Sequence, residues 1–315
     1  MSSYNNDPSP QADDETIRQT YGNVLIYEAS LGHVERVRTL LANGWDVNAR
    51  RDDSGETALH YAISADCVDM VQVLLDEGAG IDAVGHCDHT ALYDACEKGH
   101  LECVRLLCTR GASLLLGNVT PLVAAIEKQH TDIVAYLLER GGESLLTKCN
   151  ADGQNAFHYA ASTGNVAIMQ LLLDVSSTYM DALDALGRTP LCLAVQRGGL
   201  VMSKLLLKYG ALIDHPTCWP LGVALRAEHA DMVQWLVQQG VSLTKGDWSA
   251  PTALTLAIQR LQWQLVPVLL TSTTLNDEDH RKRQLILTPN AEGSTCFHLL
   301  VFPFLRFNED VTTCD

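Results

Sequence analysis

A polar or small residue, followed four and seven positions later by apolar side chains, recurs along most of this chain. His33, Cys67, His100, His130, Asn165, Gly199, His229 and Gln262 stand in this register, 30 to 35 residues apart. Seven positions beyond them come Leu40, Leu74, Leu107, Leu137, Leu172, Leu206, Leu236 and Leu269. Four beyond lies an apolar residue every time except at Ser203. Offsets of 4 and 7 share one helical face, so each register position predicts the start of a short amphipathic helix. Each repeat also carries an earlier short helix, with starts at Thr57, Thr90, Thr120-Pro121, Thr189-Pro190, Thr252 and Thr295. Threonine caps a helix N-terminus and proline fits its first turn. Ala62, Ala95, Ala125, Ala160, Ala194, Ala224 and Ala257 keep these first helices thin enough for close approach to their neighbours. Gly44, Gly78, Gly111, Gly141, Gly210 and Gly240 end the second helices, where a left-handed residue is expected.

Repetition at this period points to supersecondary units that bury their apolar faces only by stacking. The wording of the units is specific. "TALHYA", "NAFHYA" and "TPLCLA" at the first helices, with "GHVERVRTLLANGWDVNA" through a second helix, resemble the ankyrin repeat. The resemblance runs from about Asn23 to Leu270 in eight repeats, with a further start at "TCFHLL" from Thr295. It implies an all-α solenoid of helix pairs joined by β-turn fingers. The expected division is a disordered segment at 1–20, a repeat domain at 21–270, and an insertion with an incomplete repeat or cap at 271–315. Some repeats depart from the pattern. Glu28 replaces a small residue and suits an outer cap face; "LLLDVSSTYMDALDALGRT" lacks the terminal glycine; Pro303 interrupts the ninth repeat beside Phe297, Phe302, Phe304 and Phe307. Those aromatics call for a fold-back, a partner or a longer natural chain.

Composition narrows the partner. Of 315 residues, 38 are acidic and 22 basic, a formal charge of −16. A chain this acidic, with no basic cluster beyond "HRKRQ", is a poor fit to phosphate backbones, so no nucleic acid is expected. The N-terminus carries no secretory pattern, and no apolar run reaches the length of a membrane span, so no membrane is expected either. Ten cysteines without a CxxC motif, several in apolar helical runs, read as reduced thiols of a cytoplasmic or nuclear protein.

Candidate chemistry is sparse. His60, His158 and His298 belong to first-helix starts, where the family resemblance implies hydrogen bonding to the neighbouring loop. His33, His100, His130 and His229 open second helices. "GHCDH" gathers His86, Cys87, Asp88 and His89 on one finger, but zinc sites draw ligands from two separated knuckles, so no metal is assigned and His86 and His89 are read as contact residues. "RRDDSGE" sits on another finger, where Asp52 matches the family's turn aspartate. No motif for a nucleophile, metalloprotease or phosphate loop is present, so no enzyme and no cofactor are expected. "WDVNAR" resembles the asparagines hydroxylated in ankyrin repeats, making Asn48 a modification candidate; bracing of its own turn is the alternative.

The resemblance implies a non-catalytic adaptor that binds another protein on a concave face and finger tips. A small-molecule or catalytic site grafted on that face is the alternative. Contact positions implied on the first helices include Glu97, Lys98, Glu127, Lys128, Gln196, Arg197, Arg226 and Arg260. Arg188 adds to a locally basic C-terminal half, which would suit an acidic segment of the partner. Trp219 and Trp248 either anchor a partner or pack against the next finger.

Overall fold

The computed structural model describes residues 24–51, 54–243 and 252–271. Asp52, Trp248, Thr295, the 1–20 segment and residues 272–315 lie outside the described residues. The chain divides into two halves, Met1–Ala151 and Asp152–Asp315. In the N-terminal half the helices are α1 (Val24–Ser30), α2 (Val34–Ala42), α3 (Ala58–Ser64), α4 (Val68–Asp76), α5 (Ala91–Lys98), α6 (Leu101–Thr109), α7 (Pro121–Glu127) and α8 (Thr131–Gly141). In the C-terminal half they are α9 (Ala156–Thr163), α10 (Val166–Val175), α11 (Pro190–Gln196), α12 (Leu200–Lys208), α13 (Pro220–Arg226), α14 (Ala230–Gln238), α15 (Ala253–Gln259) and α16 (Val266–Thr271). Among the described residues, each half is a row of four helix pairs. First helices pack on first helices of the next pair, and each pair packs within itself. Among the described residues, β-structure is limited to two isolated bridges, Arg50 with Thr57 and Val84 with Thr90.

The predicted start signals act as capping groups. The hydroxyls of Thr90, Thr120, Thr189 and Thr252 accept from the backbone N–H three residues on. Thr57 and Asn155 head reciprocal boxes closed by His60 and His158. Such caps satisfy donors that a short helix otherwise leaves orphaned. All seven alanines at the predicted contact positions are buried. Without a larger side chain there, neighbouring first helices pack closely, and Leu25, Leu59, Leu92, Leu122 and Leu191 fill the layers between.

Three local readings change. Gly141 does not turn the chain; α8 runs through it and Gly142 takes the positive φ of 56°. Glu28 is buried. It is 6% exposed, accepts from Arg36 at 3.0 Å and meets His33 Nδ1 at 2.6 Å, so a short polar network replaces the small residue used elsewhere. Not all cysteines stand apart either. Cys192 on α11 and Cys218 before α13 are paired through their sulfurs, with Cα atoms 6.9 Å apart. Cys67, Cys96, Cys103, Cys108 and Cys149 are free, and burial lifts the Cys103 thiol to about 12, which keeps it an inert hydrophobe.

Candidate protein-binding surface

In each described helix pair, the residue just before the register position takes a left-handed backbone. Gly32, Gly99, Gly164 and Gly198 occupy that left-handed place in four pairs, with φ between 73° and 84°. Asp66, Gln129, Glu228 and Leu261 occupy it in the others, at 52° to 63°. These turns are tied to the preceding pair by the register residues. His130 Nε2 meets the Glu97 carbonyl at 3.2 Å, His229 Nε2 meets the Gln196 carbonyl at 3.0 Å, and Gln262 donates to the Leu225 carbonyl at 2.9 Å. The backbone at the ends of the first helices is therefore occupied, and what the turns offer outward is side chains.

In the N-terminal half those side chains largely compensate one another. Lys128 Nζ lies 3.1 Å from Glu97, while Lys98 and Glu127 are exposed beside them. In the C-terminal half, Gln196, Arg197, Arg226, Gln259 and Arg260 are all exposed. Arg197 donates to the Ser162 carbonyl. Arg226 makes no ion pair among the described residues, and Arg260 comes no nearer than 4.0 Å to Glu228. A solvated contact of that length neutralises neither group. Arg188 belongs elsewhere. It is clamped to Asp184, at 2.8 Å through Nε and 2.7 Å through Nη2, and its carbonyl lies 3.1 Å from His158 Nε2. His158 Nδ1 accepts from the Asn155 N–H, so Nε2 carries the proton and donates to that carbonyl. Arg188 thus braces its finger, with its side chain left partly exposed.

The aromatic anchors are also redistributed. Trp219 is 6% exposed, with its indole N–H donating to the Ser242 carbonyl at 3.0 Å, so it packs against the next finger. Trp248 lies outside the described residues. Sequence reasoning missed Leu261 and Trp263, which are 69% and 51% exposed. Both line an open cleft of about 510 Å³ with Glu228, Arg260 and Gln264. A signal was present: leucine stands at the position that glycine holds in half of the pairs, where the backbone points any side chain away from the core.

On the fingers, His86 is exposed in a short 3₁₀ turn, His86–Asp88, and His89 stacks on Tyr93 with ring centroids 3.8 Å apart. Asn48 is a brace. Its amide donates to the Gly78 carbonyl at 3.2 Å and accepts from the Gly80 N–H at 2.7 Å, linking its finger to the next. Asp82, Asp181 and Asp214 make comparable links to Ser113, Leu212 and Ser242. Among the described residues no three His, Cys, Asp or Glu side chains are grouped to hold a metal ion.

One titratable group is strongly displaced. Burial lifts the Asp94 carboxyl to about 7, assisted by the charges of Glu56 and Glu97 and opposed by Lys98. His89 Nδ1 lies 3.9 Å away, and burial lowers its pKa. Both shifts favour uncharged forms, so this approach is not an effective ion pair. Because folding raises the Asp94 pKa above its ordinary 3.8, the folded chain holds that proton more tightly than the unfolded one. The associated stability is complete below the unfolded value and is lost as pH climbs through about 7. Asp94→Asn should therefore raise stability at pH 8 by about 1–2 kcal/mol, with the gain shrinking steadily toward acid pH. Urea denaturation at several pH values measures it, and a gain that is independent of pH would refute the assignment.

The comparisons agree with this architecture. A family model described as "Ankyrin repeats (many copies)" matches residues 25–75, and one described as "Ankyrin repeats (3 copies)" matches 81–148 and 142–217. Together they cover more than half of the chain, which belongs to the ankyrin repeat family. Repeats of this family generally mediate protein–protein interaction and are typically non-catalytic. Among curated relatives, "Ankyrin repeat protein nuc-2" of Neurospora crassa is 30% identical over 61% of this chain and 17% of its own length. "Inversin" of Canis lupus familiaris is 30% identical over 45% of this chain and 13% of its own. "Palmitoyltransferase Hip14" of Drosophila melanogaster is 38% identical over 28% of this chain and 14% of its own. The chain thus spans less than a fifth of each of these three relatives. No helix among the described residues is long and apolar enough to cross a membrane.

Proposed function

We propose that this chain is a non-catalytic recognition module that holds a partner protein across the exposed first-helix ends of its C-terminal half, in the cytoplasm or nucleus. The observation that carries the reading is the row Arg197, Arg226 and Arg260 on successive repeats, exposed and largely uncompensated in a protein of formal charge −16. Maintaining cations there against the chain's own bias suits a partner surface that carries carboxylates. The equivalent turns of the N-terminal half pair Lys128 with Glu97 and offer no such excess.

Affinity purification of the intact protein tests the proposal. A partner that co-purifies with the wild type should be lost from a triple variant carrying Arg197→Glu, Arg226→Glu and Arg260→Glu, and kept by Lys98→Glu with Lys128→Glu. The reverse pattern would overturn the placement. A protein that captures no partner in its native setting would overturn the recognition reading itself.

A further inference from the structure

We infer that the cleft beside Arg260 seats an acidic segment of the partner protein by one apolar side chain, with Leu261 and Trp263 as the anchor surface. The inference rests on the recognition reading above and specifies where and by what chemistry the partner is held.

The argument begins with the backbone. Leu261 has φ 57°, a conformation disfavoured for a residue carrying a Cβ. The seven other described pairs hold a left-handed residue at this place, so the conformation belongs to the repeat's turn; what sets Leu261 apart is a large apolar side chain left 69% exposed there. Two residues on, Trp263 is 51% exposed, so a bulky aromatic and a strained aliphatic stand together on one surface. Both line the same open cleft, whose volume of about 510 Å³ falls within the range of sites that hold small groups. Tryptophan is the residue type most enriched among the side chains that dominate interface energies.

Charge selects the occupant. Arg260 and Glu228 form the polar rim, 4.0 Å apart and solvated. Beyond the rim, Arg226 is exposed on the neighbouring repeat and Arg197 on the one before it, so cations outnumber the single carboxylate along this row. An extended segment with an apolar residue in the cleft and acidic residues on either side meets all of these groups. A second copy of this chain is a poor alternative, because two molecules of formal charge −16 repel. A nucleic acid is disfavoured by the same charge.

Panning a random displayed peptide library on the full chain tests the inference, followed by fluorescence anisotropy with the enriched peptides. Enriched sequences should carry Asp or Glu around one Leu, Ile, Phe or Trp, and their binding should weaken as salt is raised. Trp263→Ala and Arg260→Glu should each weaken binding by about tenfold or more. Lys204→Glu, exposed on α12, should not. Leu261→Gly is the diagnostic variant. Glycine relieves the left-handed strain, so the melting temperature should rise while peptide affinity falls. A residue whose role is packing would show the opposite sign in the melt. Acidic peptides that ignore Trp263→Ala and Leu261→Gly yet lose affinity with Arg226→Glu would overturn the cleft and leave the recognition reading standing. Enrichment of neutral or basic peptides, or of none, would overturn the inference, as would concentration-dependent dimerisation abolished by Trp263→Ala; the partner purification then decides the broader reading independently.

Discussion

Leu137→Ala should destabilise the protein by about 2–5 kcal/mol, measured as a shift in the urea midpoint. Leu137 sits seven residues beyond His130 on α8 and is 1% exposed. It is held between α7 of its own pair and α6 of the preceding one, and Leu145 and Leu146 of the turn at Gly142–Leu146 close over the same helix. Removing its branched side chain leaves a void that short helices braced on several sides can fill only in part, so a cavity cost adds to the lost transfer energy. Contacts in each half run between neighbouring helix pairs, and damage of this kind is local in a repeat stack. A loss below about 1 kcal/mol would mean that the void collapses freely and that α8 is loosely held.

Trp219→Ala should cost about 3–5 kcal/mol, the range for removing a large buried aromatic. The ring is 6% exposed and lies over Gly222, where an added Cβ would come within 2.1 Å of the indole. Glycine inside α13 is therefore a packing device: it weakens the helix by roughly 0.5–1 kcal/mol relative to alanine, yet it makes room for the tryptophan. The indole N–H also ties the finger to the Ser242 carbonyl at 3.0 Å. Trp219→Phe should retain most of the packing and lose about 1 kcal/mol with that hydrogen bond. Thermal or chemical unfolding of both variants reads the difference. If Trp219→Ala left stability unchanged and instead abolished partner capture, Trp219 would return to the binding surface.

Much of the architecture was legible because it is written in local chemistry. A threonine cap, a proline in the first turn and apolar residues at offsets of 4 and 7 act within a dozen residues, so each helix pair declares itself wherever it occurs. Repetition then multiplied a weak signal into a secure one. The candidate surface was legible in part. Arg197, Arg226 and Arg260 are exposed at the places that the register assigns them. Arg188 differs from these, because Asp184, four residues before it, folds back to meet its guanidinium. Glu28 was read as a polar residue on an outer cap face, and it is buried against His33 and Arg36.

The sequence by itself determined the repeat and the face that each described helix buries, since these follow from periodicity along one chain segment. Tertiary structure alone decided which large side chains remain outside. Trp219 is buried because Ser242, 23 residues later, supplies a carbonyl for its indole, and because Gly222 leaves a gap beneath it. Cys192 finds Cys218 across the step between two repeats. Leu261 and Trp263 stand 69% and 51% exposed beside a left-handed turn, in a cleft that Glu228 and Ala230 of the preceding repeat also line. Exposure is set by what a neighbouring repeat brings some thirty residues away, and a local pattern carries no record of that distance.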